Sequence, residues 1–351
     1  MNAPETTRTA TPVAPHAMPP TVLDVARRAG VSTATVSRVL GHSPRASETS
    51  RARVLAAIQE LGFRPNSAAR ALRLGRSNTV ALLVGDIEQN VYAGLTKHFE
   101  AMLGQIGLDL LLYDLGHSEA RLEGIVERAL ALRLRGVAIA SSDRLPVPLL
   151  TRLAHGLRER GVAVLSVRQR LIAYGIPSIV QDDRAATRVA VRHLLAAGRR
   201  AIAYVGRIAG STLGTERYRG YRDALAEIGL PYRPELVVDA SYRYRAGYEA
   251  LVRMLRAGTR PDAVQAGSDE IALGALAAIF DQGLAVPDDI AVIGFGNVDW
   301  SAHVRPALTT ISEDAEQLAR KAQDFFSLSA EGGPPSPLVV IRRRLVLRRS
   351  A

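Results

Sequence analysis

The 351 residues contain no cysteine, which excludes disulfides and thiolate chemistry. No apolar run approaches the ~20 residues that a membrane-spanning helix needs. The opening segment, MNAPETTRTATPVAPHAMPP, is rich in Pro, Ala and Thr and has no continuous apolar core. Residues 1–19 therefore read as a disordered arm and not as a secretory signal, and the cytoplasm is the expected compartment. The seven His, at 16, 42, 98, 117, 155, 193 and 303, have no metal-ligand spacing. Gly294-Phe295-Gly296 lacks the third glycine of a dinucleotide fingerprint, and GRIAGSTLG (206–214) lacks the Lys-Ser/Thr of a phosphate loop. No nucleophile or acid–base pair stands out. The sequence argues against an enzyme and calls for no metal or cofactor.

What is present is an uneven distribution of charge. The formal net charge is +11. Residues 1–78 carry eleven Arg against four Asp/Glu, and RRRLVLRR (342–349) adds five more Arg, so the stretch between is close to neutral. A short basic head on a neutral body suits a polyanion, most simply nucleic acid. With 47% hydrophobic and 23% charged residues, the body has the composition of an ordinary globular protein.

The head resolves into three helices. In TVLDVARRAG (21–30), Thr21 can cap with Asp24 in the first turn, Val22, Val25, Ala26 and Ala29 make one apolar face, and Gly30 permits a left-handed exit. Ser32 is a second N-cap, opening a helix from Thr33 to Leu40. Its valine-rich sequence would suit a strand on propensity alone. Val31, Val36, Val39 and Leu40 form its apolar stripe, and Thr33, Ala34, Ser37 and Arg38 share the other side. A third helix, about 47–61, offers Val54, Leu55, Ile58 and Leu61 and ends at Gly62. Two short helices across a glycine turn, closed by a third, make a helix-turn-helix whose slim second helix fits the major groove. There Arg38 could bridge guanine O6 and N7.

TVLDVARRAGVSTATVSRVLG and RVLAAIQELGFRPNSAARALRLGRSNTV resemble the lactose-repressor (LacI) family of bacterial transcriptional regulators, and the likeness runs from Thr21 to the end. It implies that Thr33 and Ala34 read operator bases, with Ser37, Arg38 and Arg45 as further DNA contacts. Gly41 replaces the usual Asn at the end of this helix. Next, Pro65 breaks the chain, Asn66 can cap, and SAARAL is too short to be helical unaided. By resemblance it is a hinge helix that orders on the operator: Leu72 inserts in the minor groove, Ala69 allows close approach and Arg70 lies nearby. Paired wedges imply a homodimer on near-palindromic double-stranded DNA.

From Val80 the pattern becomes VALLVGDI, LDLLLYDL, GVAIASS, VAVLSVR, SIVQDD, AIAYVG, ELVVDA, DAVQAG and IAVIGF, with helical segments between most of them. Such alternation predicts parallel sheets covered on both faces, and about 250 residues suit two doubly wound lobes. The resemblance implies the same two-lobed, periplasmic-binding-protein-like α/β core, below an all-α head. The expected division is 1–19 arm, 20–64 head, 65–78 hinge and linker, 79–345 core with crossings near 178, 306 and 330, and 346–351 tail. RRRLVLRRS reads as a last strand with a solvated basic end, and with no leucine heptads nothing predicts a tetramer.

Matching positions nominate Tyr92, Arg217 and Tyr242 as effector contacts. Arg168 replaces a frequent Asp, Gln181 and Asp182 replace an Asp-Asn pair, and Gly296 replaces a ligand-binding Asp; GFG also resembles the gluconate-repressor branch. These changes make the cleft more positive and favour an acidic effector, such as a sugar acid. The rival is that Arg168 pairs with Asp182 or Asp183, leaving a neutral sugar or nucleoside. Asp269, in SDEIALGAL, reads as a helix cap. The expectation is a ligand-responsive DNA-binding regulator of a carbohydrate or sugar-acid operon, most simply a repressor. A solute-binding protein and a sugar-processing enzyme are the alternatives.

Overall fold

The computed structural model describes residues 20–40, 46–64, 76–116, 118–140, 145–331, 333 and 336–351. The chain divides into two compact units, Met1–Leu74 and Gly75–Ala351, a boundary inside the segment 65–78.

In the first unit, Thr21 and Asp24 form a reciprocal capping box for α1 (Val22–Ala29), and Gly30, at φ 61°, ends it. The Ser32 hydroxyl accepts the Thr35 N–H at 3.2 Å and opens α2 (Thr33–Leu40). Ser47 caps α3 (Glu48–Leu61) through the Ser50 N–H. Val25, Ala26, Ala29, Val36, Val39, Val54, Ala57 and Phe63 close a small core. The valines of α2 are helical because their burial outweighs their strand preference. One expected core residue is misplaced: Leu55 is 53% exposed. Val54 and Ala57 take the inward face of α3, and Leu55, ~100° round from Val54, points away.

The second unit holds two six-stranded sheets. The first contains β1 (Thr79–Val84), β2 (Asp109–Asp114), β3 (Gly136–Ala140), β4 (Ala163–Val167), β5 (Ser178–Gln181) and β11 (Leu338–Ile341), in the order β11-β5-β4-β3-β1-β2, all parallel. The second contains β6 (Ile202–Gly206), β7 (Val237–Asp239), β8 (Ala263–Ala266), β9 (Ala291–Gly296), β10 (Thr309–Ser312) and β12 (Leu345–Val346), in the order β12-β10-β9-β8-β6-β7; only β12 is antiparallel. Parallel strands need crossover helices, and these cover the sheets. They are α4 (Asn90–Gln105), α5 (Glu119–Ala131), α6 (Val147–Glu159), α7 (Asp183–Ala196), α8 (Thr212–Glu227), α9 (Tyr244–Arg256), α10 (Asp269–Asp281) and α11 (Ala315–Glu331). Each sheet has an apolar layer on both faces.

Strand membership places the passages between lobes at about 182, 313 and 342–344, the first close to the expected 178 and the other two later than the expected 306 and 330. The second passage follows β10, whose polar sequence TTIS hides a buried strand. The third waits for β11, which completes the first sheet beyond α11. The tail also differs from expectation. Ser350 is fully buried: its hydroxyl donates to Val292 O at 2.6 Å and accepts the Thr309 N–H at 2.8 Å, and its carbonyl accepts the Val292 N–H. The basic end is only partly solvated, because Arg343 and Arg348 turn inward to carboxylate, amide and carbonyl oxygens. No described helix is long and apolar enough to cross a membrane.

Candidate functional site

Helix α2 presents Thr33, Ala34 and Arg38 to solvent, with Ser37 half-buried beside them. Val36 and Val39 anchor the opposite side. A helix held this way exposes short side chains and one guanidinium, a profile slim enough for a major groove. Arg45, Asn66, Ala69, Arg70 and Leu72, like Gly41, lie outside the described residues.

In the core, four of the nominated residues line one cavity between the lobes: Tyr92, Arg168, Arg217 and Tyr242. Each is placed by an element end, as expected where ligands sit beyond the carboxyl ends of parallel strands. Tyr92 is buried in the first turn of α4. Arg168 follows β4 with φ 77°, a left-handed conformation that costs an L-residue about 1–3 kcal/mol. Its guanidinium lies 5.4 Å from the Tyr92 ring centre. Its carboxylate partner is Glu313, after β10, with Nε 3.5 Å from Oε1. Neither Asp182 nor Asp183 pairs with it directly.

Among the described residues, Arg168 Nε and Glu313 Oε1 have no hydrogen-bond partner although both are buried. Burial would lower the Arg168 pKa, but the charge of Glu313 holds it above its ordinary value. Arg217 lies on α8, buried 3.7 Å from the centre of the Phe295 ring and 5.5 Å from that of Tyr242. It donates to Asp183 Oδ2 at 2.9 Å and to Gly267 O at 2.6 Å. Beside Tyr242, Arg243 donates to Asp86 and to Glu88 (3.0 Å) of the other lobe.

Two nominees stand apart. Asp182 caps α7 through the Ala185 N–H at 3.1 Å and opens on a neighbouring recess. Gly296, at φ 135°, lines a separate recess with Asn297 and Glu313, and a Cβ there would lie 3.5 Å from Asp269 Oδ2.

Asp269 itself lines the cavity and is not a cap. Ser268 caps α10 by accepting the Ile271 N–H at 3.1 Å. Asp269, one residue on, turns inward and accepts from the Thr310 hydroxyl and from the Val298 N–H at 2.9 Å. Burial pushes its carboxyl up to about 6 against these hydrogen bonds. Gly294 makes the room, since a Cβ there would stand 2.2 Å from Asp269 Oδ1.

The expected surplus of positive charge is therefore offset. Asp269 and Glu313 line the cavity, and Asp183 answers Arg217 and Arg343 behind it. The result is a polar floor of alternating donors and acceptors between aromatic rings, suited to a polyhydroxylated molecule. Sequence reasoning passed over Glu313, Phe295 and Arg343 as site residues, and it named Asp183 only as a partner for Arg168, whereas Asp183 pairs with Arg217 and Arg343. No strand is read before Glu313, because β10 is polar, and the RRR run conceals Arg343.

Residues 21–66 match the family model of bacterial regulatory proteins, lacI family. Residues 191–351 match the periplasmic binding protein-like domain. The chain is 34% identical over 344 residues to the HTH-type transcriptional regulator GalR of Salmonella typhimurium (strain SL1344), covering 94% of this chain and 95% of that protein. Among solved structures, it is similar to the lac repressor dimer bound to operator and the anti-inducer ONPF, with TM-score 0.84, 26% identity, and 95% and 99% of the two chains covered. It is also similar to a transcriptional regulator CelR–cellobiose complex, with TM-score 0.70, 29% identity, and 95% and 100% covered.

Proposed function

Because this chain belongs to the lacI family of bacterial regulatory proteins, a family of transcriptional regulators and not of enzymes, we propose that its cleft takes a sugar acid and that this ligand sets the affinity of the head for its operator. Members of the family bind operator DNA and sugar effectors and act as dimers. For this chain the proposal is a homodimeric repressor of a carbohydrate or sugar-acid operon, acting in the cytoplasm at the nucleoid. Thr33, Ala34, Ser37, Arg38 and Arg45 would read and position the DNA, while Asn66, Ala69, Arg70 and Leu72 form the hinge and its wedge. Two such wedges fit a near-palindromic site.

The observation that carries the acidic ligand is Arg168 Nε, buried on the cavity wall without a hydrogen-bond partner among the described residues. A carboxylate there would gain a charge-assisted hydrogen bond in a desolvated site. Tyr92 and Tyr242 supply rings against which a sugar can pack, and Asp269 is placed to accept from its hydroxyls. A neutral sugar is the second reading, favoured by Glu313, which already sits 3.5 Å from Arg168; the CelR neighbour is itself a complex with cellobiose. Calorimetric titration with gluconate, glucuronate and galacturonate against glucose, galactose and cellobiose decides between them. Tight binding of neutral sugars alone would reject the sugar acid, and silence across the panel would reject a sugar effector.

A further inference from the structure

Three segments pass between the lobes, and one buried carboxylate touches two of them and the cleft. Asp183 stands at the first passage, 2% exposed in its side chain. Its Oδ2 accepts from Arg217 Nε at 2.9 Å, and its Oδ1 accepts from Arg343 Nε at 2.6 Å. Arg343 belongs to the third passage, is 1% exposed, and donates through Nη1 to Ser312 O, at the second passage, at 2.9 Å. Both guanidinium groups lie over Phe295, at 3.7 and 4.6 Å from its centre. The passages are also laced to one another. Gln181 donates to Glu313 O at 3.0 Å, the Asp182 N–H to Ile341 O, and the Ser312 N–H to Arg344 O. Burial would raise the Asp183 carboxyl, but Arg343, Arg217 and Arg168 hold it below its ordinary value, so it stays charged.

We propose that Asp183 and Arg343 are the coupling residues of the core: they tie the cleft arginine Arg217 to all three passages, so that a shift of Arg217 is felt wherever the lobes hinge. The role of this linkage in regulation rests on the effector reading above; the linkage itself does not. A buried carboxylate shared by two guanidinium groups cannot release one without leaving charge uncompensated, which makes the set move together. The two lobes then report on the cleft through a discrete element and not through diffuse packing.

Hydrogen exchange on the full chain without ligand tests the linkage, using peptides spanning 309–316 and 341–346 and, as reference, 79–84 and 202–206. Arg217→Lys should speed exchange at the two passage peptides about tenfold and leave the reference strands near wild type. In an Asp183→Asn background, adding Arg217→Lys should have no further effect there. Where Asp183→Asn does not fold, Arg343→Lys, which keeps the charge and loses the fork, serves as the second background with the same expectation. Wild-type exchange at the passages in Arg217→Lys, a uniform acceleration of all four peptides, or an effect that adds in full in the second background would each overturn the proposal. A sugar panel that fails to bind would sink the effector reading and leave this result standing.

Discussion

At the scale of single residues, Asp269 makes the pH dependence of the core readable. Its folded pKa of about 6 lies above the ordinary carboxylate value, so between these two the folded state holds more protons than the unfolded one. Stability on its account is full below about pH 4, falls as pH rises to about 6, and by pH 7 is lower by about 3 kcal/mol. Asp183 works in the other direction and in another window: its pKa is depressed, so its contribution is present above about pH 4 and is lost only as pH falls further. Thermal melts between pH 5 and 7.5 therefore read Asp269 together with Glu270, whose carboxyl burial also raises, and Asp269→Asn should flatten the larger part of the slope that wild type shows there. An unchanged slope in the variant would assign it elsewhere.

Gly296 gives a second outcome at this scale. Restoring the aspartate usual in the family would place a Cβ at φ 135°, 3.5 Å from Asp269 Oδ2. Gly296→Asp should lower the urea midpoint by an amount equivalent to about 1–3 kcal/mol of backbone strain. The sequence reads Asp269 as a cap because an acidic residue before an apolar run is the usual mark of a helix start. The serine beside it takes that role, and nothing in the one-dimensional pattern tells which of two adjacent capping types turns inward.

At the scale of elements, most of the core was legible. The nine apolar runs from VALLVGDI to IAVIGF all became strands, and the glycine and serine signals at 30, 32, 47 and 62 bound the three helices of the head. The strands that the sequence does not separate, β10 and β11, are four residues long, and one is polar; β12, two residues long, is the last strand read in RRRLVLRRS. Their pairing comes from neighbours distant in sequence, which a local pattern does not carry. The last of these neighbours is Ser350, whose side chain closes hydrogen bonds for both β9 and β10. Ser350→Ala would leave the Thr309 N–H and the Val292 carbonyl short of partners in a dry site, at about 1–3 kcal/mol for each group. Chemical denaturation should show a lower midpoint with an unchanged slope, whereas the exposed Arg349→Ala should stay near wild type.

For the whole molecule, charge separates the duties of the two units. The first 78 residues carry most of the positive excess, so operator or heparin binding should weaken steeply with salt. Arg38→Ala should cost about 1–3 kcal/mol on operator and relax its sequence preference, because the base contact proposed for it is lost while the phosphate contacts remain. Fluorescence anisotropy at two salt concentrations reads both quantities. Equal loss on operator and on random DNA would demote Arg38 to a backbone contact. The two-part plan was legible because a basic helical head and a long strand–helix alternation differ in period and in charge. The charge balance of the cleft was not, because Glu313, Asp183 and Arg343 are separated by up to 160 positions and meet only when the lobes are built.

The path of the chain also sets an order of assembly. The helices of the head are complete by residue 61, and its core needs nothing beyond Phe63. Both sheets of the core, by contrast, draw strands from residues 338–346 and a final clasp from Ser350. During synthesis the head can therefore fold while most of the core is still to be made, and neither lobe can close until residues 338–350 have been added. A nascent chain would carry a folded head before it had any means of answering a ligand.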